Sequence, residues 1–82
     1  MPKLRRLSGK DIIKILEGLD FSVVRIRGSH HIMKRVVDGE TQTVNVPVHG
    51  SQVLAAGMLK RLYRDLQRYT SEDDLESYFY TD

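Results

Sequence analysis

The sequence predicts an α+β domain: an antiparallel three-stranded meander with helices packed on one face. Three observations carry this expectation. Apolar residues recur at helical spacing over residues 9–19 and 56–67, and between those stretches the period switches to two. The intervening runs are rich in β-branched residues. Gly28-Ser29 and Asp38-Gly39 interrupt them as tight turns, the second a strong hairpin signal.

The elements follow in order. Met1 to Leu7 is a basic arm with Lys3, Arg5 and Arg6. Ser8 reads as a helix N-cap, with Asp11 three residues on in a capping-box position. Ile12, Ile13, Ile15, Leu16 and Leu19 then form the apolar face of a first helix, which Gly18 or Asp20 ends. Phe21 to Arg27 is a strand, with Phe21, Val23 and Arg25 facing one way and Val24 and Ile26 the other. His30 to Val37 is the second strand. Alternation sends His30, Ile32 and Lys34 to one side and His31, Met33 and Arg35 to the other. Thr41 to Val48 is the third, at an edge or ending near Pro47, which has no amide donor. A loop from His49 leads to a second helix, whose stripe is Met58, Leu59, Leu62, Tyr63 and Leu66. Lys60, Arg61, Arg64 and Arg68 lie off that stripe. Thr70-Ser71 caps a shorter acidic helix running to Tyr78, where Glu72, Asp73 and Asp74 suit the N-terminal dipole. Phe21 and Tyr63 read as core. The chain thus divides into the arm (1–7), a central domain (8–68) and an acidic C-terminal helix and extension (69–82).

Composition narrows the function. Eighty-two residues make one domain with a modest core and little room for a deep small-molecule pocket. No apolar run is long enough to span a membrane as a helix, and the basic N-terminus lacks the apolar stretch of a secretory signal. The absence of cysteine excludes disulfides and thiolate metal sites and fits a reducing cytoplasm. The formal net charge of +2 hides a polarity: residues 1–36 hold nine Lys/Arg against three Asp/Glu, residues 37–82 four against eight. A basic half suits a polyanion.

All three histidines sit in two short stretches, Gly28-Ser29-His30-His31 and Val46-Pro47-Val48-His49. Histidine exchanges protons near neutral pH, so this concentration beside basic residues points to acid–base chemistry on a phosphodiester. Adjacent histidines on a strand point to opposite faces and make poor joint metal ligands, so neither a metal nor another cofactor is expected.

At these residues the chain resembles the HicA-type toxins of the YcfA family. The resemblance covers about Ser8 to Gln67. It rests on the first helix, on Gly28-Ser29-His30 followed by Ile32-Met33, on Val46-Pro47-Val48-His49, and on Gly57 with Met58-Leu59-Lys60-Arg61-Leu62. It implies an αβββα fold like that of double-stranded-RNA-binding domains, here with a short extra C-terminal helix. It also implies a cytoplasmic mRNA-cleaving ribonuclease, neutralised by a HicB-like antitoxin. The family's catalytic histidine follows the glycine turn, which favours His30. Members with a spacer residue would place it on His31, so both stay open.

Chemically, RNA brings its own nucleophile, and a histidine base can act without metal, worth about 10²–10⁴-fold. Arg25, Arg27, Lys34 and Arg35 flank the turn as candidate phosphate ligands, with Ser29 in the turn itself and Lys10 and Lys14 on the first helix. His49 is a candidate second proton-transfer group, or a residue that fixes the loop after Pro47. The rival readings are a non-catalytic RNA-binding module of the same fold and a chain that acts only within a protein complex. The oligomeric state has no sequence signal.

Overall fold

The computed structural model describes residues 2–81. In chain order it contains β1 (Lys3–Leu4), α1 (Gly9–Gly18), β2 (Ser22–Arg27), β3 (His30–Val37), β4 (Glu40–Pro47), α2 (Ala56–Leu66), α3 (Glu72–Phe79) and β5 (Tyr80–Thr81). The central sheet is antiparallel, in the order β2-β3-β4. This is the α+β layout with αβββα order and a further C-terminal helix that the sequence predicts.

Local chemistry accounts for the boundaries. The Ser8 hydroxyl accepts from the Asp11 amide at 3.2 Å, and the Ser8 amide donates to Asp11 Oδ2 at 2.9 Å, a complete capping box. At the other end of α1, Asp20 takes a left-handed conformation with φ 71°. The Phe21 and Asp20 amides then close on the carbonyls of Leu16 and Glu17. Asp38 and Gly39 have φ of 51° and 81°, the two positive angles a type I′ hairpin turn requires. Their turn keeps β3 and β4 in unbroken register from Val37–Glu40 to His30–Pro47.

One expectation about side-chain facing is corrected. A bulge between Val23 and Arg25 shifts the β2–β3 register. Beyond it Arg25 pairs with Ile32, Ile26 with His31 and Arg27 with His30. Arg25 therefore does not share a face with Val23: the extra residue turns it over, and Ile26, still exposed, takes the helix-facing side opposite His31 instead. The alternation expected for β3 itself holds, because β3 carries no bulge.

Helices cover one side of the sheet. Met33, Val44 and Val46 meet Ile12, Leu16, Leu59, Leu62 and Leu66 in a single core, joined by Phe21, Leu75 and Phe79. Gly9 is the tightest joint. A methyl there would fall on the Pro47 carbonyl oxygen and within 2.9 Å of Val48 Cα and Cγ2, so α1 starts directly against the end of β4. Arg35, on the covered side of β3, is a second joint. Its guanidinium donates to Gln42 Oε1 (2.6 Å), Leu19 O (2.8 Å), Tyr69 O (3.0 Å) and Thr70 Oγ1 (3.1 Å), and lies 4.6 Å from the centroid of the Phe21 ring.

The two ends of the described chain are joined. Lys3 and Leu4 pair with Thr81 and Tyr80, the Arg5 amide donates to Phe79 O at 2.7 Å, and Arg5 Nη1 donates to Tyr78 O at 2.9 Å. Leu7, Leu75 and Phe79 are buried in the common core. Tyr63 packs edge-on against Phe79 and Tyr80, with centroids 5.3 and 5.2 Å apart.

Two stability predictions follow from these joints. Arg35→Lys keeps the charge but loses the planar fork, and should cost about 2–3 kcal/mol, read as a lower urea midpoint with an unchanged slope. The second concerns Asp11, whose carboxyl is held below its ordinary value of 3.8, first by the Ser8 amide and then by the Ser8 hydroxyl. A depressed folded pKa contributes stability that is complete above the ordinary value and is lost as pH falls through the folded one. Asp11→Asn should therefore lower the melting temperature near neutral pH, and the gap to wild type should narrow well below pH 3.8.

Candidate functional site

The side of the sheet away from the helices is open. Register and alternation place Ser22, Arg25, Arg27, His30, Ile32, Lys34, Val36, Thr41, Thr43 and Asn45 on it. These strand positions include three cations and no Asp or Glu. Arg25, Arg27, His30 and Lys34 are all exposed. The bulge in β2 matters here, since it is what turns both arginines toward His30.

His30 is the first residue of β3. It is held between Arg27 of β2 and Pro47 of β4 in the ladder. The turn before it has φ 58° at Gly28, a conformation that suits glycine at the first position of a tight hairpin. The Ser29 carbonyl accepts from the Val48 amide at 2.6 Å, which ties the turn to the end of β4. His30 Nδ1 lies 3.2 Å from Asn45 Oδ1. Beside it, where α2 runs along β4, is a cleft of about 160 Å³ lined by His30, Thr43, Asn45, Met58, Arg61 and Asp65, among others. Arg61 and Asp65 approach to 4.0 Å across one turn of α2, and both keep much of their surface in solvent.

The other candidates lie elsewhere. His31 is on the covered side, half-buried, and its Nδ1 is buried without a hydrogen-bond partner. His49 is exposed just beyond β4; its carbonyl accepts from the Gln52 amide, and its ring makes no hydrogen bond among the described residues. Ser29 is half-buried in the turn. Lys10 and Lys14 are exposed on α1, in the layer behind the sheet. Arg35 is on that side too, and four hydrogen bonds within the protein occupy its guanidinium. The geometry gives it to the fold rather than to a phosphate. The Tyr63 phenol is pushed up by burial and then by Glu72, Glu76, Tyr80 and Asp73, so it stays protonated at neutral pH.

Sequence reasoning missed Asn45, Thr43 and Arg61. Asn45 and Thr43 are polar residues alternating with valines on β4, a pattern that marks an exposed face without marking a site. Arg61 lay inside the Gly57–Leu62 segment that carries the family resemblance, but off the apolar stripe it read, with Lys60 and Arg64, as a contact for an acidic partner rather than as part of the histidine site. Among the described residues, no group of three or more His, Cys, Asp or Glu is placed to hold a metal ion. Nor is any helix there long and apolar enough to cross a membrane.

The domain presents a bare cationic sheet face with a histidine at the head of its central strand. The family model described as the HicA toxin of bacterial toxin–antitoxin systems matches residues 9–67. The chain belongs to the HicA toxin family. No curated protein and no solved structure matches it.

Proposed function

We propose that this chain is a metal-independent endoribonuclease of the cytoplasm that cleaves mRNA with His30 as the catalytic residue. The observation that carries the reading is the position of His30: exposed, on the face bearing Arg25, Arg27 and Lys34, and beside an open cleft. Membership of a toxin family supplies the biological setting.

The chemistry needs few groups. His30 Nε2 takes the proton of a ribose 2′-hydroxyl. The 2′-oxygen attacks the adjacent phosphorus, the new P–O2′ bond forms, and the P–O5′ bond breaks. The leaving 5′-oxygen takes a proton from water, and the hydroxide so formed recovers the proton held on His30, leaving a 2′,3′-cyclic phosphate, a 5′-hydroxyl and the neutral histidine. Arg25, Arg27 and Lys34 neutralise non-bridging oxygens along the strand, where charge grows in the transition state. His31 is the weaker choice of base because its ring belongs to the covered side of the sheet. The open face offers few aromatic platforms for bases, which favours backbone contacts and weak sequence preference. A HicB-like antitoxin would neutralise the toxin by covering this face with an acidic or shape-matched surface.

Cleavage of a labelled RNA in EDTA tests the assignment. His30→Ala should lower the rate by about 10²-fold or more with an unchanged melting temperature, whereas His31→Ala should retain cleavage. Wild-type rate in His30→Ala would remove His30 from the mechanism. A folded wild type that binds RNA without cutting it would favour the binding module. Replacing Arg25 and Arg27 together with Gln should weaken RNA binding and reduce the slope of log affinity against log salt by about 1–2.

A further inference from the structure

We infer that Asn45 is a positioning residue that fixes which nitrogen of His30 is basic. The inference rests on the nuclease reading and adds to it the tautomer on which that chemistry depends. A neutral imidazole carries one N–H and one lone pair, on different nitrogens. The atom facing His30 Nδ1 is the amide oxygen of Asn45, at 3.2 Å, and an amide oxygen only accepts. The ring therefore presents Nδ1–H to Asn45, and the lone pair is on Nε2. Without that partner a histidine side chain favours the opposite tautomer, with its proton on Nε2 and no base there.

The strand ladder sets the pair side by side. Asn45 and His30 project from the same face of neighbouring strands, and β3 and β4 stay in unbroken register from the Asp38-Gly39 turn to the His30–Pro47 pair. Asn45 pairs directly with Ile32, and His30 lies diagonally across from it, within reach of a side-chain hydrogen bond. When Nε2 takes the 2′-proton, the ring becomes an imidazolium. Its Nδ1–H bond to Asn45 then strengthens, because the donor is charged. Asn45 thus supports both protonation states of the base without itself exchanging a proton. The charged groups that face the ring are Arg27 and Arg25 from β2 and, across the cleft, Arg61 and Asp65 from α2, with Lys34 on the same sheet face four residues further along β3. Asn45 is the neutral member that bonds the ring directly.

Nitrogen-15 NMR of the histidine rings reads the tautomer directly, and cleavage kinetics read its consequence. The wild type should show His30 as the Nδ1–H form. Asn45→Ala should shift it toward Nε2–H and lower kcat by about 10–100-fold with KM little changed. Asn45→Asp should keep the Nδ1–H form and restore much of the rate. It should also move the acidic limb of the pH–rate profile upward, because a carboxylate beside Nδ1–H favours the imidazolium. Asn45 is exposed, so both variants should melt close to wild type, and Asn45→Asp reports even if Asn45→Ala does not fold. An Nε2–H ring in the wild type, or the same tautomer in wild type and Asn45→Ala, would overturn the inference. The expected tautomer change in a protein that never cuts RNA would overturn the nuclease reading, while the positioning of the ring by Asn45 would stand.

Discussion

The guanidinium of Arg35 binds the layers of this small domain together. It projects from the covered side of β3 and reaches β4 through Gln42, the C-terminal end of α1 through the Leu19 carbonyl, and the α2–α3 connection through Tyr69 and Thr70. A half-buried charge is tolerable only when its donors are satisfied, and here the satisfying acceptors belong to three separate elements. α1 has no basic residue in its own last turn, so Arg35 also brings a cation to the negative end of that helix dipole. Stacking on Phe21 adds a contact with the segment entering β2. An apolar residue in its place would still help fill the core, but it would leave those carbonyls unmatched.

That brace has a consequence for function. With Arg35, Met33 and His31 turned toward the helices, the alternating positions His30, Ile32 and Lys34 must face outward. The bulge at Val24 then turns Arg25 and Arg27 to the same outward side. Arg25 and Arg27 of β2 and Lys34 of β3 share one face with His30, and no acidic residue from the strands lies on it. The cationic face is thus a by-product of how the core is packed. The Gly9 contact acts similarly: it presses the start of α1 against Pro47 and Val48, and Val48 in turn holds the Ser29 carbonyl beside His30.

The terminal segments show how a chain this short completes its core. The central αβββα unit supplies one layer of helix and one of sheet. Leu75 and Phe79 of α3 close the far side of α2, and the pairing of Lys3–Leu4 with Tyr80–Thr81 anchors the end of that helix. In sequence these segments look like an arm and an acidic extension because their apolar residues are sparse and widely separated. Their burial comes from each meeting the other, and no local pattern encodes that meeting.

By itself the sequence determined the elements: the capping box at Ser8, the period-two runs, the Asp38-Gly39 turn, the helical stripes and the alternation that separates His30 from His31. These are local consequences of backbone geometry and side-chain chemistry, legible within a few residues. Tertiary structure decided the rest. It placed the bulge that turned Arg25 over, gave Arg35 to the fold, paired Lys3–Leu4 with Tyr80–Thr81, set Asn45 beside His30 and brought Arg61 to the cleft that His30 lines. Each of these depends on residues distant in the chain meeting in space. Which neighbour satisfies a buried donor, or faces a ring nitrogen, is settled only when the layers pack.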